Sequence, residues 1–250
     1  MAIFEREKTI STRDINKNNV LSNRGILGLL EDVACMHSEQ AGYGINQMDL
    51  THLSWVVLHW KVNVFKRPAY NETVVIRTWA KYLNKFTTYR DFEMLDKNGN
   101  MICVASSKWA LVDTESGSLA KIDEKILNSY SPENDKNAFE DSNIDRIKIP
   151  EELSKDDISP AYSFVVPRRD IDVNKHMNNI HYLDFAIEAL PEDIYQNINC
   201  NYFEIMYKNG AKLGNKVNCF YLKDNNNHFV IMKSANEENK LHAIIKLKNN

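Results

Sequence analysis

Residues 169–182 read RDIDVNKHMNNIHY, a stretch in which polar side chains alternate with other residues. Asp172, Asn174 and His176 occupy every second position. An extended backbone would direct all three side chains to the same side. We therefore predict a row of three polar groups on an extended segment.

Two asparagines continue this stretch into an apolar run. Asn178 and Asn179 belong to the residue types that commonly open helices, so their position predicts a helix N-terminus. The apolar residues after them keep a roughly helical spacing: Ile180, Tyr182, Leu183, Phe185, Ala186, Ile187 and Leu190. The polar row is thus expected to lead directly into a helix.

The stretch has a counterpart near the start of the chain. Residues 13–32 read RDINKNNVLSNRGILGLLED, and residues 169–188 read RDIDVNKHMNNIHYLDFAIE. Their identical residues pair in order: Arg13 with Arg169, Asp14 with Asp170, Ile15 with Ile171, Asn18 with Asn174, Asn23 with Asn179 and Leu27 with Leu183. The first block also leads into an amphipathic helix, which is predicted to end near Gly42 or Gly44.

Strand-like segments follow each predicted helix. In the first half they are Trp55–Phe65, Thr73–Trp79, Thr87–Leu95 and Met101–Val112. In the second half they are Tyr202–Tyr207, Lys216–Leu222, His228–Lys233 and Leu241–Lys248. A repeat of this length indicates a duplicated domain and not a solenoid. The fold class is therefore predicted as α+β, with one main helix and an antiparallel sheet in each unit.

The predicted domain boundaries follow from this repeat. We assign residues 1–112 to the first unit, 113–160 to a linker and 161–250 to the second unit. The linker is rich in Asp, Glu, Lys, Ser and Asn, and it contains one short helical pattern near 123–127. A linker of that length suits two units joined end to start.

The composition is typical of an ordinary globular protein. Hydrophobic residues make up 43% and charged residues 26% of the chain. No apolar run approaches the roughly 20 residues of a membrane span, and the opening MAIFEREKTISTRD contains no apolar signal core, so a cytoplasmic protein is expected. A net charge of −3 argues against general nucleic-acid binding. The cysteines, which form no C-x-x-C pair, are predicted to be buried free thiols: Cys35, Cys103, Cys200 and Cys219.

The run DVNKHMNN at 172–179, followed by Tyr182, carries a family resemblance. It resembles the D-x-N-x-H-x-N-N-x-x-Y signature of acyl-ACP thioesterases, both the plant fatty-acyl enzymes and their bacterial relatives. The layout of two units with the signature in the second is similar too, so the resemblance covers nearly the whole chain. It implies two tandem hot-dog units, each with an antiparallel sheet wrapped around a long helix, paired as a pseudo-dimer within one chain.

The same resemblance implies hydrolysis of the thioester between a fatty acyl chain and the phosphopantetheine arm of acyl carrier protein, in fatty acid biosynthesis. Asp172, Asn174 and His176 would form the catalytic row. Acyl carrier protein is the expected partner, whereas no cofactor, metal, nucleic acid or membrane span is expected. A homodimer stays open.

Thioester hydrolysis needs an activated water, a stabilised oxyanion and a protonated leaving thiolate. An imidazole accepts and returns protons at neutral pH, so His176 is the predicted proton carrier. Asp172 could orient the imidazole, act as the base or attack the thioester, and Asn174 could hold the water or the carbonyl. The helix start at Asn178 and Asn179 would offer backbone N–H groups to the oxyanion, so these two are predicted to bind substrate.

Two alternatives use these residues differently. Asp and Asn before a helix often serve only as caps. A metal site could use His176 and His181, but these lie five positions apart and no cysteine is close, so no metal is predicted. The first repeat has Asn16 in place of Asp172 and Val20 in place of His176. A purely structural role predicts similar residues in both copies, so the difference favours catalysis in the second unit.

The first unit lacks the acid and the histidine and is predicted to bind the acyl chain. Several of its apolar residues could line a tunnel or simply form core: Leu27, Leu30, Ala34, Trp55, Val57 and Trp79. We expect this unit to set the acyl-length preference, since each buried CH₂ contributes about 0.8 kcal/mol. Exchange of residues 1–112 with those of a relative should then transfer the preference.

An acidic partner requires a basic surface near the site. Acyl carrier proteins are acidic as a class, so we predict a docking patch formed by Arg168, Arg169 and Lys175, with Lys212 as a weaker candidate. The alternative is that these are ordinary solvated charges.

One position departs from the family pattern. In the family pattern, a glutamate stands three residues beyond the tyrosine of the next strand, and often a cysteine or an alanine stands four residues beyond it. Here these two positions are Gly210 and Ala211. Glu204, Asp184 and Glu188 are predicted to be too remote to replace that glutamate. We expect the acid and the histidine of the signature to suffice. An acyl-CoA thioesterase and a non-catalytic acyl-thioester binding protein stay open as alternatives.

Overall fold

The computed structural model describes residues 2–82, 84–141, 144–149, 159–238 and 240–248. Contacts within the chain divide it into two compact units, Met1–Ile144 and Asp145–Asn250. Each unit combines one principal helix with an antiparallel sheet, which confirms the predicted α+β class.

The first unit contains a five-stranded antiparallel sheet among its described residues. Its strands are β1 (Ile3–Thr9), β2 (Leu53–Val64), β3 (Thr73–Tyr82), β4 (Thr87–Asp96) and β5 (Met101–Asp113). Its helices are α1 (Asn23–Ala41), α2 (Met48–Thr51) and α3 (Glu124–Tyr130), with a 3₁₀ turn at Ile45–Gln47. The strands pair in the order β1-β3-β4-β5-β2.

The second unit repeats this arrangement. Its strands are β6 (Tyr162–Val165), β7 (Tyr202–Tyr207), β8 (Lys216–Asp224), β9 (Asn227–Ser234) and β10 (Leu241–Lys248). Its helices are α4 (Asn179–Glu188) and α5 (Glu192–Asn197), with a 3₁₀ turn at Arg168–Asp170. The order β6-β8-β9-β10-β7 matches that of the first unit strand for strand, so the sequence repeat is also a repeat of architecture. Over the ranges given above, no helix of either unit is both long and apolar enough to cross a membrane.

Helix α1 supplies the centre of the first core. Its buried apolar residues recur at helical spacing: Ile26, Leu27, Leu29, Leu30, Val33 and Ala34. The Ser22 hydroxyl caps its start by accepting the Gly25 N–H at 2.9 Å. The helix ends at Gly42, whose φ of 84° lies in the left-handed region that glycine adopts without steric cost. The predicted end near Gly42 is confirmed.

The sequence does not predict β1 or β6. Strand β1, IFEREKT, has a single fully buried residue, Phe4, so it lacks the alternating apolar signal. Strand β6 has only four residues. Each lies at the outer end of the strand order in its own unit, where charged and polar residues are tolerated.

The segment predicted as a linker belongs in part to the first unit, which extends to residue 144. Within it, α3 contributes Ile126 and Tyr130 to a hydrophobic cluster with Ala80 and Leu111. Apolar residues at helical spacing hold this stretch in the core, so the first unit continues beyond the predicted boundary at residue 112. Residues 142–143 and 150–158 of the predicted linker lie outside the described residues.

Cys35, Cys103, Cys200 and Cys219 are thiols outside any disulfide, as predicted. Cys103, Cys200 and Cys219 are buried, and Cys35 is half-buried. Burial raises the pKa of the Cys103 and Cys219 thiols to about 12. A thiol that stays protonated is a poor nucleophile, so these residues serve as small core side chains.

Candidate active site

The signature loop, residues 171–178, is a tight turn and not an extended row. The Asp172 N–H donates to the His176 carbonyl at 2.8 Å, and the Lys175 N–H donates to the Asp172 carbonyl at 3.1 Å. Lys175 has a φ of 63°, in the left-handed region. The prediction of an extended segment with three side chains on one side is therefore wrong.

The Asp172 carboxylate stabilises this turn. Its Oδ1 accepts the N–H of Asn174 at 2.9 Å and the N–H of His176 at 3.1 Å. Hydrogen bonds of this kind, from a side chain to nearby backbone, compete with extended structure. One carboxylate oxygen thus folds the loop, whereas Oδ2 has no hydrogen-bond partner among the residues that the structure describes.

The first unit contains the same turn with different side chains. The Asn16 Oδ1 accepts the Asn18 N–H at 2.9 Å, and the Asn16 N–H donates to the Val20 carbonyl at 2.9 Å. Asn19 has a φ of 61°, matching the left-handed residue of the signature loop. The amide of Asn16 replaces the turn-forming oxygen of Asp172, but Val20 provides no ring. The turn is therefore common to both units, whereas the acid and the imidazole belong to the second.

His176 is half-buried, and its ring lies against Gly210. A Cβ at Gly210 would lie 2.7 Å from the His176 Cδ2 atom and 2.9 Å from Cγ, too close for both to be accommodated. The loop that carries Gly210 is tied to the signature because the Met177 N–H donates to the Ala211 carbonyl at 2.7 Å. The structure thus places Gly210, the position of the missing glutamate, against the ring of the signature histidine.

The His176 imidazole is available for chemistry. Within the described part of the chain, neither ring nitrogen has a hydrogen-bond partner. Asp172, its neighbour in the loop, forms no side-chain hydrogen bond with it, so an orienting role for Asp172 is not observed. The roles of base and nucleophile stay open for Asp172.

Tyr182, the last residue of the signature, is buried beneath the loop. Its hydroxyl accepts the Ala211 N–H at 2.9 Å, and its ring packs edge to face against that of Tyr207, with centroids 5.4 Å apart. Burial, and to a lesser extent the charge of Asp172, raises the pKa of Tyr182 to about 12. A hydroxyl whose raised pKa keeps it protonated near neutral pH, and which holds the Gly210 loop, is a structural support. The sequence analysis did not assign this role, although the place of Tyr182 in the signature was the available signal.

The start of α4 has fewer available donors than predicted. The Asn178 side chain accepts the Ile180 N–H at 3.1 Å, and the Asn178 carbonyl accepts the His181 N–H at 3.1 Å. The N–H of Asn178 itself donates to the Asp170 carbonyl at 2.8 Å. Asn178 is therefore the helix cap. The N–H of Asn179 has no partner within the ranges that the structure describes, so the predicted oxyanion site narrows to this group.

The carboxylates considered as substitutes for the glutamate have other partners. A Glu204 oxygen lies 2.7 Å from the Tyr202 hydroxyl and 3.0 Å from the Lys246 Nζ. The Asp184 Oδ2 lies 3.4 Å from the His181 Nδ1. Both acids thus have partners outside the signature loop. No group of three His, Cys, Asp or Glu side chains that could hold a metal occurs among the described residues.

The residues of the predicted docking patch are all exposed: Arg168, Arg169, Lys175 and Lys212. The segments that bear Arg168 and Lys212 are hydrogen bonded to each other. The Val166 N–H donates to the Asn215 carbonyl at 3.0 Å, and the Gly214 N–H donates to the Val166 carbonyl at 3.1 Å. The Arg169 Nε lies 3.5 Å from the buried Asp170 carboxylate, so its charge is partly compensated.

The first unit contains an apolar cavity between its sheet and helices α1 and α3. Its lining includes Ala34, Trp55, Trp109, Ile126 and Tyr130. Ala34 and Trp55 are among the residues predicted to line an acyl tunnel. The others of that set are fully buried core: Leu27, Leu30, Val57 and Trp79.

Two family models cover most of the chain. The acyl-ACP thioesterase N-terminal domain matches residues 2–130, and the acyl-ACP thioesterase C-terminal domain matches residues 153–250. The chain belongs to the acyl-ACP thioesterase family. This membership confirms the resemblance drawn from the signature at 172–182.

Two curated relatives in the acyl-ACP thioesterase family illustrate the similarity, and both are plant proteins. Oleoyl-acyl carrier protein thioesterase 1, chloroplastic, of Arabidopsis thaliana is 26% identical over 204 residues, which cover 76% of this chain and 56% of that protein. Dodecanoyl-[acyl-carrier-protein] hydrolase, chloroplastic, of Cinnamomum camphora is 26% identical over 217 residues, covering 82% of this chain and 56% of that protein. The chain thus spans about half the length of these relatives.

Solved structures from the acyl-ACP thioesterase family share the fold. An acyl-ACP thioesterase from Bacteroides thetaiotaomicron VPI-5482 superposes with a TM-score of 0.81 at 20% identity, covering 99% of this chain and 97% of that one. The 12:0-ACP thioesterase from Umbellularia californica gives a TM-score of 0.82 at 19% identity, with the same coverage of 99% and 97%. The chain has two tandem hot-dog units, as the signature implied. The catalytic roles of Asp172, Asn174 and His176 stay predictions.

Proposed function

We propose that this protein hydrolyses the thioester of fatty acyl-ACP and releases a free fatty acid and acyl carrier protein. The observation that carries the proposal is the duplicated turn. Both units keep its backbone, but only the second has a carboxylate and an imidazole on it. Family membership supports the same reaction, and the named relatives are thioesterases or hydrolases of acyl carrier protein substrates.

In this proposal His176 moves the proton. As the oxygen of a water molecule bonds to the thioester carbonyl carbon, the imidazole takes one proton from that water. The tetrahedral intermediate then collapses, the C–S bond breaks, and the leaving thiolate takes the proton back from the imidazolium. His176 returns to its neutral form, so the cycle needs no other proton source.

Asp172 and the helix start complete the site. The oxyanion accepts a hydrogen bond from the Asn179 N–H, a kind of donor that typically contributes about 2.7–4 kcal/mol to the rate. Asp172, held in place through Oδ1, acts through Oδ2 as a second base for the attacking water, beside His176. In the alternative path, Oδ2 bonds to the thioester carbon and the C–S bond breaks first. Water activated by His176 then hydrolyses the acyl–Asp172 anhydride, and the proton taken from that water passes to the thiolate. The exposed Asn174 holds the water or the substrate carbonyl. Mass measurement of the enzyme quenched during turnover distinguishes the two roles of Asp172, because only a nucleophile forms an acyl adduct.

The acyl chain and the carrier occupy different parts of the molecule in this proposal. The apolar cavity of the first unit accepts the chain, and the docking patch of the second unit binds the acidic carrier protein. A cytoplasmic location and a homodimer stay predictions.

A comparison of acyl-ACP with acyl-CoA hydrolysis, over a series of acyl lengths, tests the proposed function. We expect a higher kcat/KM for acyl-ACP and loss of turnover in His176→Ala. Val20→Ala, which alters the equivalent position of the first unit, is the matched control and should keep activity. Equal or faster hydrolysis of acyl-CoA would assign an acyl-CoA thioesterase. Binding of acyl thioesters without turnover would assign the non-catalytic binding protein.

A further inference from the structure

Arg90 is a buried cation in the wall of the apolar cavity of the first unit. The residue lies on β4 and is only 5% exposed. Phe92 and Met94, two and four positions further along the strand, are also buried. The strand alternation that directs these two side chains into the core therefore directs Arg90 inward as well.

The polar contacts of Arg90 involve a single guanidinium nitrogen. Its Nη1 lies 2.9 Å from the His37 Nδ1 and 3.3 Å from the Thr78 Oγ1. The Tyr130 ring centroid lies 5.7 Å from the Arg90 Cζ, within the range of a cation–π contact. Among the residues that the structure describes, no hydrogen bond satisfies Nε or Nη2.

The carboxylate next to Arg90 in the sequence does not neutralise this cation. The adjacent Asp91 points to the other face of β4 and pairs with Lys81, at 3.6 Å between Oδ2 and Nζ. Across the described part of the chain, no ion pair includes Arg90. A guanidinium keeps its charge in proteins and presents five N–H donors, so burial without a counter-charge or acceptors is unfavourable. Burial lowers the pKa of Arg90, as expected for a cation removed from water.

This environment is poorly suited to a plain hydrocarbon chain. Such a chain would exclude water from the free N–H groups of Arg90 and offer them no acceptor. An oxygen atom on the chain would accept these hydrogen bonds while the remaining carbons contact apolar walls such as Trp55 and Ile126. The same cavity would then favour the oxygenated chain over its unsubstituted analogue.

We propose that the cavity binds acyl chains that carry a hydrogen-bond-accepting oxygen, and that Arg90 donates to this oxygen. The inference rests on the proposed function and narrows its substrate class to oxygenated acyl thioesters.

Calorimetric binding of non-hydrolysable acyl-pantetheine amides to the natural protein tests this inference. At one chain length, the series contains the unsubstituted chain, chains with a hydroxyl at carbon 3, at mid-chain or at the terminus, and a chain with a terminal carboxylate. We expect one isomer to bind at least about tenfold more tightly than the unsubstituted chain, the effect of a charge-assisted hydrogen bond. Arg90→Met should remove this gain and leave the unsubstituted chain bound. Leu127→Met, which changes an uncharged residue of the same cavity, should retain the gain.

The natural protein alone can refute the inference, even if Arg90→Met fails to fold. Equal or weaker binding of every oxygenated isomer, or no binding of any chain, overturns it. Turnover separates it from the proposed function. If unsubstituted acyl-ACP is hydrolysed but oxygenated chains bind no more tightly than the unsubstituted chain, the role of Arg90 is rejected and the thioesterase activity is supported. Tighter binding of an oxygenated chain without any hydrolysis would support the proposed role of Arg90 and reject the thioesterase activity.

Discussion

Asp172 and Asn16 hold the same turn in the two units: each accepts, through Oδ1, the N–H of the residue two positions further on, at 2.9 Å in both cases. An amide oxygen therefore serves this hydrogen bond as well as a carboxylate oxygen does. The charge of Asp172 is not required for the turn, so fold and chemistry can be separated by a substitution at one position.

Asp172→Asn should leave the protein folded and remove most of its activity. The amide keeps the turn, as Asn16 shows, while the loss of the carboxylate charge should lower kcat for acyl-ACP by about 10²-fold or more. Steady-state hydrolysis, thermal unfolding and acyl-ACP binding by fluorescence anisotropy check the three expectations. Asn16→Asp is the matched control and should leave kcat unchanged. Full activity in a folded Asp172→Asn protein would exclude Asp172 from the catalytic residues.

Gly210→Ala should reduce activity because the new Cβ would occupy the space of the His176 ring, 2.7 Å from Cδ2. A displaced imidazole is expected to lower kcat by about tenfold or more. Gly28→Ala is the control: a Cβ there meets nothing within 4 Å, and alanine stabilises a helix interior by about 0.5–1 kcal/mol over glycine.

Gly210→Glu must displace the same ring, so restoring the family carboxylate should bring no gain in activity. If the natural protein is inert and Gly210→Glu hydrolyses acyl-ACP, the binding-protein alternative is correct.

Lys175→Asn should stabilise the protein and weaken its binding of the carrier. Lys175 lies at a φ of 63°, a conformation that asparagine tolerates better than lysine and that the first unit gives to Asn19. We expect the free energy of unfolding to rise by roughly 0.5–1 kcal/mol. Denaturant unfolding measures this gain, and the KM for acyl-ACP should increase because one cation of the docking patch is lost. An unchanged KM would remove Lys175 from that patch.

Charge reversal of Arg168 and Arg169 to glutamate should raise the KM for acyl-ACP and flatten its dependence on salt. Both side chains are exposed, so their attraction for an acidic carrier acts through solvent and is screened by ions. Hydrolysis assayed over a range of ionic strength measures both effects. Reversal of the exposed Lys97 and Lys121 of the first unit gives the same change in net charge and should have little effect. Equal effects of the two double variants would refute a local patch.

His242 should make the protein less stable in mild acid. Its ring is 1% exposed, and Nδ1 lies 2.7 Å from the Asn209 carbonyl. Burial lowers the pKa of His242, although the Asn209 hydrogen bond opposes this shift. The unfolded chain therefore binds the proton more readily. The contribution of His242 to stability is complete above its unfolded pKa of about 6.5 and is lost as pH falls through the lowered folded pKa.

Denaturant unfolding between about pH 7.5 and 5 measures this loss of stability. His242→Gln should show a shallower dependence on pH than the natural protein. An unchanged dependence would assign the effect to other groups, among them His228, whose pKa burial also lowers.

The sequence predicts the long elements well because their buried side chains repeat with a clear period. Helix α1 and the other strands of both sheets follow from that period, whereas β1 and β6 do not. Phe4 alone is fully buried in β1, and β6 has only four residues. The turn at Asp172 could not be predicted from alternation. The sequence pattern of Asp172, Asn174 and His176 is the same whether the Asp172 carboxylate accepts backbone N–H groups or faces solvent.

The signature identifies the candidate site as a stretch of sequence but does not give its geometry. The family pattern beyond Tyr207 identified Gly210, yet the contact of Gly210 with the His176 ring depends on how the Met177–Ala211 hydrogen bond joins two loops. The inward direction of Arg90 could have been predicted from the alternation along β4, because Phe92 and Met94 mark the inward positions. A charged residue at an inward position is easily mistaken for a surface residue when the strand is considered alone.

The duplicated turn lets two kinds of natural selection be distinguished within one gene. An oxygen acceptor and a left-handed residue occur in both copies, at Asn16 and Asn19 and at Asp172 and Lys175, so we expect selection for folding to act on both. The imidazole persists in one copy alone, so folding cannot be what maintains it. Mutational tolerance should therefore differ between the two units. Substitutions at position 20 should be nearly neutral for the organism. Substitutions at position 176 should be removed by selection, although the variant protein still folds and accumulates in the cell.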